Sequence, residues 1–257
     1  QAATPAGIAI VHSVFNIVAT IILLPFAKGL EKLACLTIRD KREDVVVSAE
    51  DREFMILEPR FLEKPAFAVE QSRNAARKMA EESHNALFTA LDLVDKYSEE
   101  GVECVKNMEA KVDRYEDELG TYLVKLNQKD LSVHDSHSVS IMLHCIGDFE
   151  RISDHAYNIM ESAEQFHNMK KKFSDKAKKE LRVYEAAVKD IVDITFDAYD
   201  RSDIIKASRV EPLEEVIDRL NDEIKKKHIK RLRKGKCTIE LGFVLSDLTT
   251  NFERVAD

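Results

Sequence analysis

Two phrases in this chain each occur twice, in the same order and at nearly the same spacing. "EAKVDRYEDEL" (Glu109–Leu119) lines up with "EEVIDRLNDEI" (Glu214–Ile224), so that Asp113 corresponds to Asp218, 105 residues on. "FERISD" (Phe149–Asp154) lines up with "FERVAD" (Phe252–Asp257), 103 residues on. Two matches at almost one offset are much harder to obtain by chance than either alone, so the chain carries an internal duplication. Each copy would leave an apolar stripe bare if isolated. The two copies are therefore expected to pack on each other.

Composition says what the repeated unit is made of. Charged residues make up 33% and aromatics 7%, there is no Trp, and Gly and Pro number only seven and five. Strong helix formers dominate, which predicts an all-α fold. The first helix is expected at about 67–98, with apolar positions at Ala80, Leu87, Leu91 and Val94 and a break at Gly101. A second runs over about 102–128. Ser132 and Asp135 then have capping-box-like spacing before a third helix that ends near Lys170. The order begins again at 174–203 and 204–233, breaks at Lys234–Lys236, and resumes from Thr238. Pro212, which has no counterpart in the first copy, predicts a kink or a late helix start. The duplicated part is thus residues 65–257, with repeats at about 65–172 and 173–257. Residues 31–64, with their β-branched run Val45–Val47 and Pro59, read as a connector. The first residue is Gln and the last falls inside a motif, so both ends read as cut and the second repeat as truncated.

Residues 1–27 hold no Asp, Glu, Lys or Arg. The core "AGIAIVHSVFNIVATIILLPFA" is long enough to cross a hydrocarbon layer of ~30 Å as a helix, which predicts a transmembrane helix over residues 1–30. Lys28, Lys32, Arg39, Lys41 and Arg42 follow it and no cation precedes it, so the remainder is expected in the cytoplasm. His12 and Asn16 share a face and are expected to form a hydrogen-bonded pair turned toward protein. The net charge of −8 argues against nucleic acid as a partner. Cys35, Cys104, Cys145 and Cys237 form no CxxC pair, which argues against a disulfide scaffold or a zinc ribbon. Apolar neighbours predict that Cys104 and Cys145 are buried and unreactive. No nucleophile elbow, phosphate loop or dinucleotide fingerprint appears, and no enzyme is expected. The basic run Lys225–Lys236 reads either as a solvated helix end or as a contact for anionic lipid or phosphate.

The duplicated phrases share one chemical feature. Glu109 and Asp113, Glu150 and Asp154, Glu214 and Asp218, and Glu253 and Asp257 are each four residues apart, so both side chains of every pair leave one helix face. Like charges so placed cost roughly 0.2–0.5 kcal/mol unless something positive joins them. Arg151, three residues from both Asp148 and Asp154, could supply that charge in an ordinary salt-bridge lattice. When the helices of one unit pack, however, their carboxylates can converge. An all-oxygen set suits Mg, Mn, Fe or Ca, with Asp117, Asp222 and Asn158 as outer ligands. Glu81-x-x-His84 and Glu164-x-x-His167 have the spacing of di-iron bundles, but the second unit has no such pair at the matching offset. They read as exposed residues.

"DFERISDHAYNI" and "NFERVAD", each paired with an upstream E-x-x-x-D-R helix, resemble the PhoU family. "KHIKRLRKGKCTIELGFVLSDLTTNFERVAD" and "LEPRFLEKPAFAVEQ" are similar to the PhoU-like tail of bacterial sodium/phosphate cotransporters, and "AIVHSVFNIVATIILLPF" to the last transmembrane helix of their transport domain. The resemblance implies one transmembrane helix followed by a PhoU-like pair of three-helix bundles. It also implies metal clusters on the E-x-x-x-D motifs, holding a divalent or ferric ion such as Fe, Mn, Mg or Zn. The whole protein would then move phosphate with sodium across the inner membrane. Its cytoplasmic domain would regulate transport, with self-association as a further expectation. A membrane-tethered signalling adaptor of phosphate-starvation regulation is the alternative. The residues lining a substrate path would lie upstream, so none is carried over.

Overall fold

The computed structural model describes residues 5–23 and 54–257, and the chain divides into two units, residues 1–49 and 50–257. In the first unit α1 (Pro5–Leu23) is a 19-residue helix, about 28 Å long at 1.5 Å per residue. His12, Ser13, Asn16 and Thr20 interrupt its apolar surface. Among the described residues no helix is long and apolar enough to cross a membrane. The rest of the expected span over residues 1–30 lies outside the described residues. Asn16 Nδ2 and His12 Nδ1 are 3.1 Å apart, as expected of a pair on one face, but both side chains are exposed. The cations that set the expected orientation, Val45–Val47 and Cys35 lie outside the described residues.

The second unit opens with two 3-10 turns (Met55–Leu57 and Pro59–Glu63), followed by α2 (Pro65–Asp95), α3 (Glu99–Leu126) and α4 (Val133–Asn168). The second repeat follows as α5 (Asp175–Arg201), the single turn α6 (Ile204–Ala207), α7 (Val210–Arg233) and α8 (Ile239–Ala256). Side-chain oxygens of Ser98, Ser132, Ser174 and Thr238 accept the N–H three residues on, so α3, α4, α5 and α8 each begin with a satisfied cap. The Ser132 hydroxyl also donates to Asp135 Oδ2 at 2.8 Å.

Two punctuation marks behave differently. Gly101, expected to break the helix, lies inside the first turn of α3. A Cβ there would sit 2.7 Å from Leu93 Cδ2 and 2.9 Å from Ser98 Oγ, so glycine lets the α2–α3 corner close. Pro212 does force the late start. The counterpart of the α3 start is Ile204, yet only one turn forms before the chain begins again at Val210. Pro212 cannot donate to the Ser208 carbonyl and its ring would crowd it, whereas the first turn of α7 tolerates it.

Burial separates two cores. One joins the 3-10 turns to the first half of α2, the last half of α3 and the first half of α4. The other joins the last half of α2, the start of α3 and the last half of α4 to α5, α7 and α8. The long helices α2 and α4 therefore run through both, and the second repeat is completed by the first. Leu123 in the first core and Leu91 in the second are fully buried, as the apolar spacing requires. Cys104 is exposed and Cys145 half-buried, which corrects the expectation that both are buried. Its neighbours Val102 and Val105 are buried, but each residue along a helix turns the side chain by about 100°. Burial and the charge of Asp148 push the Cys145 thiol up, so it stays protonated near neutrality.

Candidate metal centre

Helices α3 and α4 are joined by residues 127–132 and pack along each other. Glu109 and Asp113 leave one face of α3 and Asp154 leaves α4, and one carboxylate oxygen from each lies within 4.8 Å of the others. The second repeat reproduces the arrangement with Glu214 and Asp218 of α7 and Asp257 at the end of α8, at the same 4.8 Å limit. Six of the eight expected ligands thus form two sets of three.

The remaining two part company. The Glu150 carboxyl lies outside the set of three, but burial and the charges of Asp154, Asp113 and Glu116 raise it, so it borders the first cluster. Glu253 turns away from the second: Asn221 Nδ2 donates to its Oε2 at 2.5 Å and Lys225 Nζ stands 3.5 Å from the same oxygen. The expected outer ligands also divide. Asp117 acts on Asp113. Asp222 instead pairs with Lys226 at 3.8 Å, and Asn158 lines a small polar groove with Asp247 and Asn251.

The electrostatics follow from the crowding. Burial, then the charges of Asp113 and Asp154, holds Glu109 above the usual carboxylate range. Burial, then Asp154 and Asp117, does the same to Asp113, and burial, then Asp154, to Glu150. In the second cluster burial, then Asp218 and Asp257, raises Glu214. Burial and the carboxylates of Glu253, Asp218 and Asp257 push up the hydroxyl of Tyr184, which donates to the Thr249 carbonyl.

An ordinary salt-bridge lattice does not account for the first cluster. Arg151 reaches Asp148 at 3.9 Å and is largely exposed. Among the described residues no ion pair is made by Glu109, Asp113, Glu150 or Asp154. Converging oxygen donors without a paired cation are the donor set that a hard divalent or ferric ion takes. Such an ion would be held by Glu109, Asp113 and Asp154, and would supply the positive charge that relieves their repulsion.

The di-iron reading fails on geometry. His84 Nε2 is 2.7 Å from Asp193 and its ring stacks on Phe88, while the His167 ring stacks on Tyr97. Neither Glu81 nor Glu164 belongs to a converging set among the described residues. Sequence reasoning missed Glu116. Its position three residues beyond Asp113, on the same helix face, was the available signal.

Comparison with known proteins agrees with this duplication. The PhoU domain family model matches residues 76–163 and 182–257, each segment containing one acidic cluster. Over 110 residues the chain is 31% identical to the phosphate-specific transport system accessory protein PhoU homolog 1 of Thermotoga maritima. That stretch is 43% of this chain and 47% of that protein, so the chain spans about half the length of the curated relative it matches. The crystal structure of PhoU from Pseudomonas aeruginosa shares the fold. The TM-score is 0.66 at 18% identity, over 73% of this chain and 90% of that one.

Proposed function

This chain belongs to the PhoU domain family, and on that premise we propose that it regulates phosphate transport and catalyses no reaction. The relative from Thermotoga maritima is by name an accessory protein of a phosphate-specific transport system, and the same role is carried over here. The observation that carries the reading is the first acidic cluster, where three carboxylates from two helices converge within 4.8 Å and, among the described residues, pair with no cation. A divalent or ferric ion there would tie α3 to α4. Its gain or loss would change how firmly those helices hold together, which is the kind of change a regulatory domain can transmit.

In its finer form the reading makes this chain the C-terminal part of a sodium-dependent phosphate transporter. Phosphate and sodium would pass through a separate transport domain in the membrane, and residues 65–257 would act on it from the cytoplasmic side. The charge-free residues 1–27 support that form. A membrane-tethered adaptor that binds a kinase or a separate transporter is the second reading, and the same stretch supports it. Phosphate uptake into vesicles, from cells expressing the whole reading frame with and without residues 65–257, tests both. Sodium-driven uptake that loses its response to phosphate supply on deletion, while uptake itself survives, supports the transporter. Absence of uptake, with a separate transporter or kinase co-purifying, supports the adaptor. An unchanged response to phosphate after deletion overturns the regulatory reading.

A further inference from the structure

Positive charge and bare apolar surface meet where α7 ends and α8 begins. From Ile224 to Ile239 the sequence has no Asp or Glu but eight Lys or Arg, in a chain of net charge −8. Half of these cations are engaged: Lys225 by Glu253, Lys226 by Asp222 and Glu223, and Lys227 and Arg231 by Glu180. Lys230, Arg233, Lys234 and Lys236 are exposed and, among the described residues, make no ion pair. The nearest acid on α8, Glu240, is taken by Lys171.

Among these cations Ile229, Ile239 and Phe243 are 50%, 71% and 65% exposed. Their placement follows from one contact. A Cβ on Gly242 would lie 2.8 Å from His228 Nε2, so α7 and α8 touch there. Ile229 and Phe243, each the next residue along, flank that contact. Gly235, at φ 63°, makes the turn that brings Ile239 back to the same end.

We propose that this end of the second repeat docks on an anionic lipid surface. The four unpaired cations engage headgroup phosphates, and Phe243 and Ile239 enter the boundary with the acyl chains. Exposed apolar side chains rimmed by cations match the charge and layering of such a surface. Each cation held there contributes roughly a fivefold factor to binding. The inference goes beyond the regulatory reading and does not depend on its transporter form.

Residues 1–257 hold no Trp, so Phe243→Trp places one local reporter in this chain. With vesicles of phosphatidylcholine containing phosphatidylglycerol, its emission shifts to the blue and its quenching by acrylamide falls. Added salt reverses both changes. Replacing Lys230, Arg233, Lys234 and Lys236 together by Gln weakens the effect by about tenfold or more. The reporter is insensitive to any hold that α1 takes on the vesicle by itself. Unchanged emission, or an equal shift on pure phosphatidylcholine, overturns the proposal. A shift that appears without vesicles and grows with protein concentration also overturns it, by assigning the face to a second copy of the chain.

Discussion

The two acidic clusters descend from one pattern, and two of the positions at which the repeats differ bear on Glu253. The counterpart of Glu116 is Asn221, and the counterpart of Gly120 is Lys225. In the first cluster Glu116 adds to the negative field on Glu150. In the second, Asn221 and Lys225 hold Glu253. Lys225 thus draws Glu253 away from the second cluster, while among the described residues Glu150, its counterpart beside the first, makes no ion pair. Duplication kept the helix pair and the E-x-x-x-D spacing, and two substitutions changed how the glutamate of the α8 motif is held. A repeated motif is therefore not a repeated site until the residues one turn further along are compared.

The most severe way to break the comparison is to destroy the core that both repeats share. Leu91→Asp buries an unpaired carboxylate where α2 serves the second repeat. The cost of several kcal/mol is comparable with the ~5–15 kcal/mol that holds a domain together. Loss of a cooperative melt in circular dichroism is expected, and an unchanged melt would show that this face of α2 is not core.

Metal addition tests the asymmetry itself. In chelator-stripped protein, Mn, Mg or Fe ions should raise the melting temperature, with about 2.7 kcal/mol gained at one hundred times the dissociation constant. Asp154→Asn and Glu109→Gln, on different helices, should each remove most of that gain, and Asp218→Asn little of it. Equal losses at Asp154 and Asp218 would make the clusters equivalent. A melting temperature indifferent to every ion would remove the metal reading.

Titration should show a smaller effect. Glu109, Asp113 and Glu150 have raised carboxyl values, so the folded form holds their protons more tightly than the unfolded chain does. Their repulsion is absent well below the ordinary carboxylate range and grows as pH rises through the raised values. Metal-free wild type should therefore lose stability toward neutral pH relative to Asp113→Asn. Curves that stay parallel would mean that the cluster is not crowded in solution.

The smallest effect sharpens the contrast from the other side. Lys225→Gln removes a half-exposed pair and should cost about 1 kcal/mol or less. Combined as Asn221→Glu with Lys225→Gly, it should give the second cluster a metal response of its own, read as a larger melting shift than wild type shows with the same ion.

Much of this was legible in the sequence because it rests on local rules. Helical periodicity, the Ser132 cap and the break before Pro212 follow from neighbours in the chain. The convergence of Asp154 with Asp113 follows once two such helices are laid together. Cys104 was misread because apolar neighbours in sequence do not share a helix face. Gly101 was misread as a stop because its role depends on Leu93 across the corner. The turning away of Glu253 needs Lys225 on another helix, and alignment of the two repeats shows the substitution but not the hydrogen bond it makes.

The one-turn helix α6 has no buried side chain, and Ile204 and Ile205 are more than four-fifths exposed. Ser202 before it is in the left-handed region at φ 52°, and the interruption forced by Pro212 follows. Little free energy is needed to open such a segment. Backbone amides at residues 204–209 should exchange with deuterium long before those of α2 or α4, and a protease should nick there first. The two halves, meshed through the shared core, would stay together after the cut. The join between the repeats is thus where the chain could be cut without undoing the fold.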